Sequence, residues 1–190
     1  MPKYNLSELR SLPNLLTCFR FVAAPVLLWF AWSGQSNAFL ILLAITFLSD
    51  VLDGMAARLL NQESELGALL DSAGDLLIYI TMATSIWSLW PEIVHREIVY
   101  IIIGIVSFAL PVIVGLIKFH RFTSYHTWLV KIAVIAMGTS FFILFIFDIA
   151  WPFRIAVLIG TLAAIEEVFI TFYIPTLRSN VHSLWHLKKR

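Results

Sequence analysis

The sequence predicts an all-α integral membrane protein with six transmembrane helices, preceded by a short interfacial helix. Three observations carry that prediction. Apolar residues make up 60% of the 190 positions, above the roughly 45–50% usual in soluble domains. Charged residues make up 13%, about half the usual fraction of roughly 25%. The apolar residues also fall into six stretches, each near the about 20 residues that a helix needs to cross a bilayer core. No repeat, low-complexity tract or Pro/Gly/Ser-rich linker separates them, so residues 1–190 read as one transmembrane domain.

The segment Pro2–Ser11 sets Tyr4, Leu6 and Leu9 among polar residues and reads as the interfacial helix. The first span, 13–33, follows Lys3 and Arg10 as a signal peptide would. It is too long for an apolar signal region and no small-x-small site follows, so it is expected to be a retained helix. The turn residues Ser33-Gly34-Gln35-Ser36-Asn37 lead into the second span, 36–58. The polar stretch 61–65 precedes the third, 67–90, and Trp90-Pro91-Glu92 separates it from the fourth, 97–118. The basic loop 119–127 precedes the fifth span, 128–148, and Trp151-Pro152 precedes the sixth, 153–174. Trp29, Trp32, Trp87, Trp90 and Trp151 lie near span ends on one side, as an interfacial aromatic belt would.

Charge and cysteine content exclude several function classes. A net charge of +1 gives no electrostatic basis for binding nucleic acid, and the single cysteine, Cys18, excludes a disulfide framework or a cysteine zinc site. Six spans put both termini on one side. Of the 13 Lys and Arg residues, only Arg96 and Arg154 fall on the other side. The positive-inside rule then places the termini and the 59–66 and 119–127 loops in the cytoplasm. Lys188-Lys189-Arg190 reads as part of that topology signal and as a lipid-surface contact.

Acidic residues in such a chain need a reason. Asp50 and Asp53 lie near the cytoplasmic end of the second span, and Asp71 and Asp75 near the cytoplasmic start of the third. Spacings of three and four place each pair on one helix face. A short loop makes the two helices antiparallel, so the pairs come to the same depth. Carboxylates within a bilayer are costly and mark candidate functional sites. Four of them repel unless cations neutralise them or some are protonated. An all-oxygen donor set favours Mg²⁺ or Mn²⁺, and Mg²⁺ commonly shares its shell between carboxylates and substrate phosphates. The plainer reading, helix caps or water-facing acids, suits one or two of these residues but not four on facing stripes. Gly54, Ala56, Ala57, Gly67, Ala68, Ala73 and Gly74 on the same helices allow close approach of backbone or ligand, or serve helix packing alone. Arg58 suits a phosphate oxygen pair, and equally a snorkelling helix end.

The run Asp50-Val-Leu-Asp53-Gly54-Met-Ala-Ala57-Arg58, followed by Gly67, Asp71 and Asp75 at their spacing, resembles the CDP-alcohol phosphotransferase signature at every fixed position. The stretch Pro13-Asn14-Leu15-Leu16-Thr17-Cys18-Phe19-Arg20 is similar to the start of the phosphatidylglycerophosphate synthase branch. The resemblance implies a metal-dependent enzyme that moves a phosphatidyl group from CDP-diacylglycerol to a small alcohol and releases CMP. It implies that Asp50, Asp53 and Asp71 hold a pair of divalent cations, Mg²⁺ or Mn²⁺, with Asp75 beside them as general base. It further implies that Gly54, Ala57, Arg58 and Gly67 shape the CDP pocket. A homodimer in a bacterial inner membrane, with the active site facing the cytoplasm, completes the expectation.

For the acceptor, Lys118, His120, Arg121, His126 and Lys131 form a second basic cluster on the cytoplasmic side. It suits a phosphorylated alcohol, glycerol 3-phosphate first and inositol phosphate second, with Lys118, Arg121 and Lys131 as the binding residues. Topology and anionic-headgroup contact explain the same residues equally well. Unphosphorylated inositol or another alcohol remains an alternative acceptor. Glu166 and Glu167, in the sixth span, point about 100° apart. One of them is expected to meet a basic partner or a polar cavity. Arg20 in the first span is a candidate for that partner, or a snorkelling residue. Two readings of other classes, an Asp-rich intramembrane prenyltransferase and a cation transporter, use the same four acids.

Overall fold

The computed structural model describes residues 11–60, 62, 64–119 and 127–174. Among the described residues there are six helices: α1 (Leu12–Trp32), α2 (Ser36–Leu59), α3 (Glu65–Leu89), α4 (Pro91–Phe119), α5 (Trp128–Phe147) and α6 (Trp151–Tyr173). There is no strand among the described residues. All six helices are long and apolar enough to cross a membrane, in α3 over Leu69–Leu89. The protein is a multi-pass integral membrane protein. The expected interfacial helix at Pro2–Ser11 lies outside the described residues, except for Ser11 at the start of α1.

Local chemistry sets the helix ends. Gly34 has φ +70°, a left-handed value that glycine adopts without steric penalty, and it closes the tight turn from α1 to α2. Ser64 caps α3 by accepting the Gly67 amide at 3.0 Å, and Thr127 caps α5 by accepting the Val130 amide at 3.2 Å. Two expected breaks are helix starts instead. Pro91 begins α4, six residues before the predicted span, and Trp151-Pro152 opens α6. The reason is the same in both: proline fits the first turn, where its missing N–H has no partner to lose. The polar residues Glu92, His95 and Arg96 hid the first turns of α4 from hydropathy, but they do not oppose helix formation.

The chain divides into two helical units, Met1–Pro91 and Glu92–Arg190. In the first, α1 lies against both α2 and α3. Leu27, Phe39, Leu43 and Ile78 are buried there, and Phe39 meets the Trp90 ring edge-on at 6.0 Å. Polar side chains are also buried in this unit, among them Asn14, Thr17, Thr46, Ser49, Thr81 and Ser85. Large apolar residues such as Leu48, Leu76 and Ile80 are exposed. Such an inside-out distribution suits lipid, which welcomes Leu and Ile on the surface and leaves polar groups to pair internally.

In the second unit α5 packs on α6 around Phe141, Leu144, Phe153 and Val157. Polar ties connect α4 to α6. Glu97, fully buried, accepts two hydrogen bonds from Arg154, both 2.8 Å, and one from its neighbour Arg96 at 3.1 Å. Ser107 and Thr161 hydroxyls meet at 3.0 Å. Arg96 also pairs with Asp148, the left-handed residue (φ 56°) that ends α5. These are the two basic residues that the charge count put on the side opposite the termini.

Candidate active site

Three helices build the site. Asn14, Thr17 and Arg20 recur every three residues along α1, and all are buried. Asp50 and Asp53 face them from α2, Asp71 and Asp75 from α3. Asp53 is buried, and the other three carboxylates are partly exposed. The structure therefore brings all four predicted aspartates together, with α1 supplying a third wall.

The Arg20 guanidinium lies among the four. Its Nη1 pairs with Asp50 Oδ1 at 2.7 Å and with Asp75, and its Nη2 with Asp53 Oδ2 at 2.6 Å and Asp71 Oδ1 at 2.5 Å. The Thr17 hydroxyl donates to Asp53 Oδ2 at 2.8 Å. This corrects the reading of Arg20 as a snorkelling residue or a partner for the glutamates of α6. Its side chain is 1% exposed, and its ion pairs are with the aspartates. Glu166 and Glu167 are half-buried in α6, in the second unit. A polar side chain every three residues from 14 to 20 was the available signal for this third wall.

One of the two signature glycines has a steric role. A Cβ on Gly67 would stand 2.8 Å from Asn14 Oδ1, so the α3 backbone meets the Asn14 side chain of α1 there and a methyl would have to displace it. A Cβ on Gly54 would stand 3.9 Å from Arg58 Nη2, which places the Arg58 head one turn back along α2, toward Asp50 and Asp53. Arg58 is exposed and makes no hydrogen bond or ion pair among the described residues. Its fork of donors is available to an anion. Ala57 is half-buried beside it.

The predicted acceptor residues belong to the second unit. The Lys118 ammonium donates to three carbonyls at the end of α6: Thr171 at 2.8 Å, Phe172 at 3.0 Å and Ile174 at 3.0 Å. All three of its protons are thus committed to capping that helix, an arrangement that also suits the helix dipole. Lys131 is exposed, with its ammonium 4.9 Å from the centre of the Trp128 ring. Arg121, His120 and His126 lie outside the described residues.

The donor set fits a hard divalent cation. Asp50, Asp53 and Asp71 each offer a carboxylate oxygen, and the three lie within 4.8 Å of one another. Three oxygens at that separation, with no sulfur or imidazole among them, match the preferences of Mg²⁺ and Mn²⁺. Next to them a small cavity, lined by Arg20, Thr46, Asp50, Asp75 and Tyr79, reaches in between the helices. Divalent ions held by these carboxylates would neutralise a pyrophosphate, with Asp75 beside them to face a hydroxyl.

Comparison with known proteins agrees with this chemistry. The CDP-alcohol phosphatidyltransferase family model matches residues 10–173. A cardiolipin synthase (CMP-forming) of Streptomyces coelicolor is 34% identical over 59% of this chain and 54% of its own length. Two proteins named CDP-diacylglycerol–glycerol-3-phosphate 3-phosphatidyltransferase are also similar. The one from Cereibacter sphaeroides is 32% identical over 68% of this chain and 65% of its own length. The one from Aquifex aeolicus is 37% identical over 34% and 36%. The chain thus spans about half the length of the Streptomyces relative, and less of several others. No solved structure matches it.

Proposed function

Because this chain belongs to the CDP-alcohol phosphatidyltransferase family, we propose that it transfers a phosphatidyl group from CDP-diacylglycerol to the hydroxyl of a small alcohol, releasing CMP. The observation that carries the reading is the convergence of Asp50, Asp53, Asp71 and Asp75 from α2 and α3 at the family's spacing, with three of their oxygens within 4.8 Å. Residues 1–190 act as one transferase domain, in a bacterial inner membrane with the site on the cytoplasmic face. That orientation is supported by the distribution of Lys and Arg. A homodimer is part of the proposal through the family resemblance.

Asp50, Asp53 and Asp71, with Asp75 alongside, would hold Mg²⁺ or Mn²⁺, which when bound supplies charge neutralisation for the pyrophosphate and the leaving CMP. Arg58 takes a phosphate oxygen pair, and Gly54, Ala57 and Gly67 leave space for the CDP moiety. Asp75 accepts the proton of the acceptor hydroxyl. The acceptor oxygen then bonds to the phosphorus that carries diacylglycerol, while the bond from that phosphorus to the bridging oxygen breaks and its electron pair leaves with CMP. A positioned base of this kind contributes roughly 10²–10⁴ in rate.

Glycerol 3-phosphate is the favoured acceptor, supported by the likeness to the Cereibacter and Aquifex proteins. Arg121 and Lys131 would bind its phosphate, with Lys118 as their expected companion. Lys118, however, spends its protons on α6, which favours a second acceptor with less need of that charge. The Streptomyces relative suggests phosphatidylglycerol, since cardiolipin formed with release of CMP joins a second phosphatidyl group to that lipid's glycerol. A panel of acceptors tests both. The purified chain, given CDP-diacylglycerol and Mn²⁺, is expected to release CMP with glycerol 3-phosphate or phosphatidylglycerol. Release with only inositol phosphate, inositol or serine would move the acceptor assignment, and no release with any of them would overturn the proposal.

A further inference from the structure

Four carboxylates converge in this site against one guanidinium. Each terminal nitrogen of Arg20 joins one carboxylate of α2 to one of α3: Nη1 bridges Asp50 and Asp75, Nη2 bridges Asp53 and Asp71. The positive charge therefore occupies the centre of the same three carboxylates whose oxygens would surround a divalent ion. Both cannot be served together. Mg²⁺ demands oxygens at about 2.0–2.1 Å in near-octahedral geometry, and a guanidinium nitrogen 2.5–2.7 Å from those carboxylates stands in the way. A second observation points outward. Arg20 Nε is buried, with no hydrogen-bond partner among the described residues, although a buried N–H without an acceptor is costly. The guanidinium also lies along bare backbone at Gly74, where a Cβ would be 3.5 Å from Nε and 3.6 Å from Cζ.

We propose that Arg20 is an exchangeable counter-ion, a positioning residue that holds the four aspartates together in the metal-free protein and gives them up when divalent ions bind. The proposal rests on the metal–phosphate reading of the site. Without a cation the four carboxylates repel and the ends of α2 and α3 separate. Arg20 prevents this with a planar fork that can serve both helices at once. Once displaced, its head, Nε included, is free to donate to a phosphate oxygen of the arriving substrate, so loss of the counter-ion role and gain of a substrate contact are one event. The arrangement keeps the carboxylates assembled between rounds of metal binding, at the expense of metal affinity.

The test is Mn²⁺ binding to the full chain in lipid nanodiscs after chelation, read by the spin-resonance signal of free Mn²⁺, with thermal melting in parallel. Arg20→Gln is expected to bind Mn²⁺ at least about tenfold more tightly than the unaltered chain, the factor for a single competing charge-assisted hydrogen bond, of which Arg20 makes several. Its metal-free form should melt lower, and saturating Mn²⁺ should restore the melting temperature, so its metal-induced shift exceeds that of the unaltered chain. Arg20→Lys, which can bridge the helices only partly, should fall between the two and serves if Arg20→Gln does not fold. Unchanged or weaker Mn²⁺ binding in these variants overturns the exchange. If the unaltered chain itself binds no Mn²⁺, the metal reading fails with it, and the two failures are distinguishable.

Discussion

Asp53 on α2 and Asp71 on α3 are joined through a single atom, the Nη2 nitrogen of Arg20, at 2.6 and 2.5 Å. The two halves of the signature thus meet through a third helix. Helix α1 packs against both and carries Asn14, Thr17 and Arg20 along one buried stripe. The consequences can be measured one residue at a time.

Asp75 is the carboxylate placed to accept a proton, so Asp75→Asn should lower CMP release by roughly 10²–10⁴. Asp50, Asp53 and Asp71 remain in the variant, and Mn²⁺ binding should persist. Full transfer activity in Asp75→Asn would remove it from the base role.

Arg58 makes no ion pair among the described residues, so its substitution costs the fold little. Arg58→Lys keeps the charge and loses the paired donors. The KM for CDP-diacylglycerol should rise about tenfold, the value of one charge-assisted hydrogen bond, with the melting temperature unchanged. Equal kinetics in steady-state assays would show that Arg58 does not touch the donor substrate.

Gly67→Ala places a methyl 2.8 Å from Asn14 Oδ1. Overpacking of that kind costs about 1–3 kcal/mol, and here it displaces the buried Asn14 side chain from the wall of the site. The variant should melt lower and bind Mn²⁺ more weakly. Asn14→Ala in the same chain should return part of the melting temperature, and its failure to do so would place the clash elsewhere.

The second unit has its own polar lock. Glu97→Gln leaves Arg96 and Arg154 without their shared charge, and at about 1.5–3 kcal/mol for a charged hydrogen bond it should lower the melting temperature by a few degrees. Asp148, outside the spans, has its carboxyl held below the usual range by the Arg96 hydrogen bond. A lowered carboxylate pKa contributes stability above the unfolded value of about 4 that is lost as pH falls through the folded value. Asp148→Asn should therefore flatten the acid limb of a melting-temperature profile below about pH 4. An unaltered limb would show that the ion pair contributes nothing.

The spans and the four aspartates were legible because both signals are local. Hydropathy is a window property, and a spacing of three or four decides the shared face within one helix. The role of Arg20 was not, because a basic residue in an apolar helix reads the same whether it snorkels or meets acids. Only the packing of α1 against both α2 and α3 distinguishes the two. Lys118 fails in the same way: near a helix end it reads as a binding residue, while its three protons go to carbonyls 53 to 56 residues away in the chain. Pro91 and Pro152 read as breaks because proline punctuates both turns and first helical turns, and the packed helices show the latter.

The proposed transfer at the four aspartates depends on a divalent cation. Its most direct test is CMP release from CDP-diacylglycerol by the purified chain in the presence of glycerol 3-phosphate and phosphatidylglycerol, with chelator and then with Mg²⁺ or Mn²⁺ restored. Chelation is expected to abolish release and either ion to restore it, in the unaltered chain but not in Asp53→Asn. Release that survives chelation, or persists undiminished in Asp53→Asn, would contradict it.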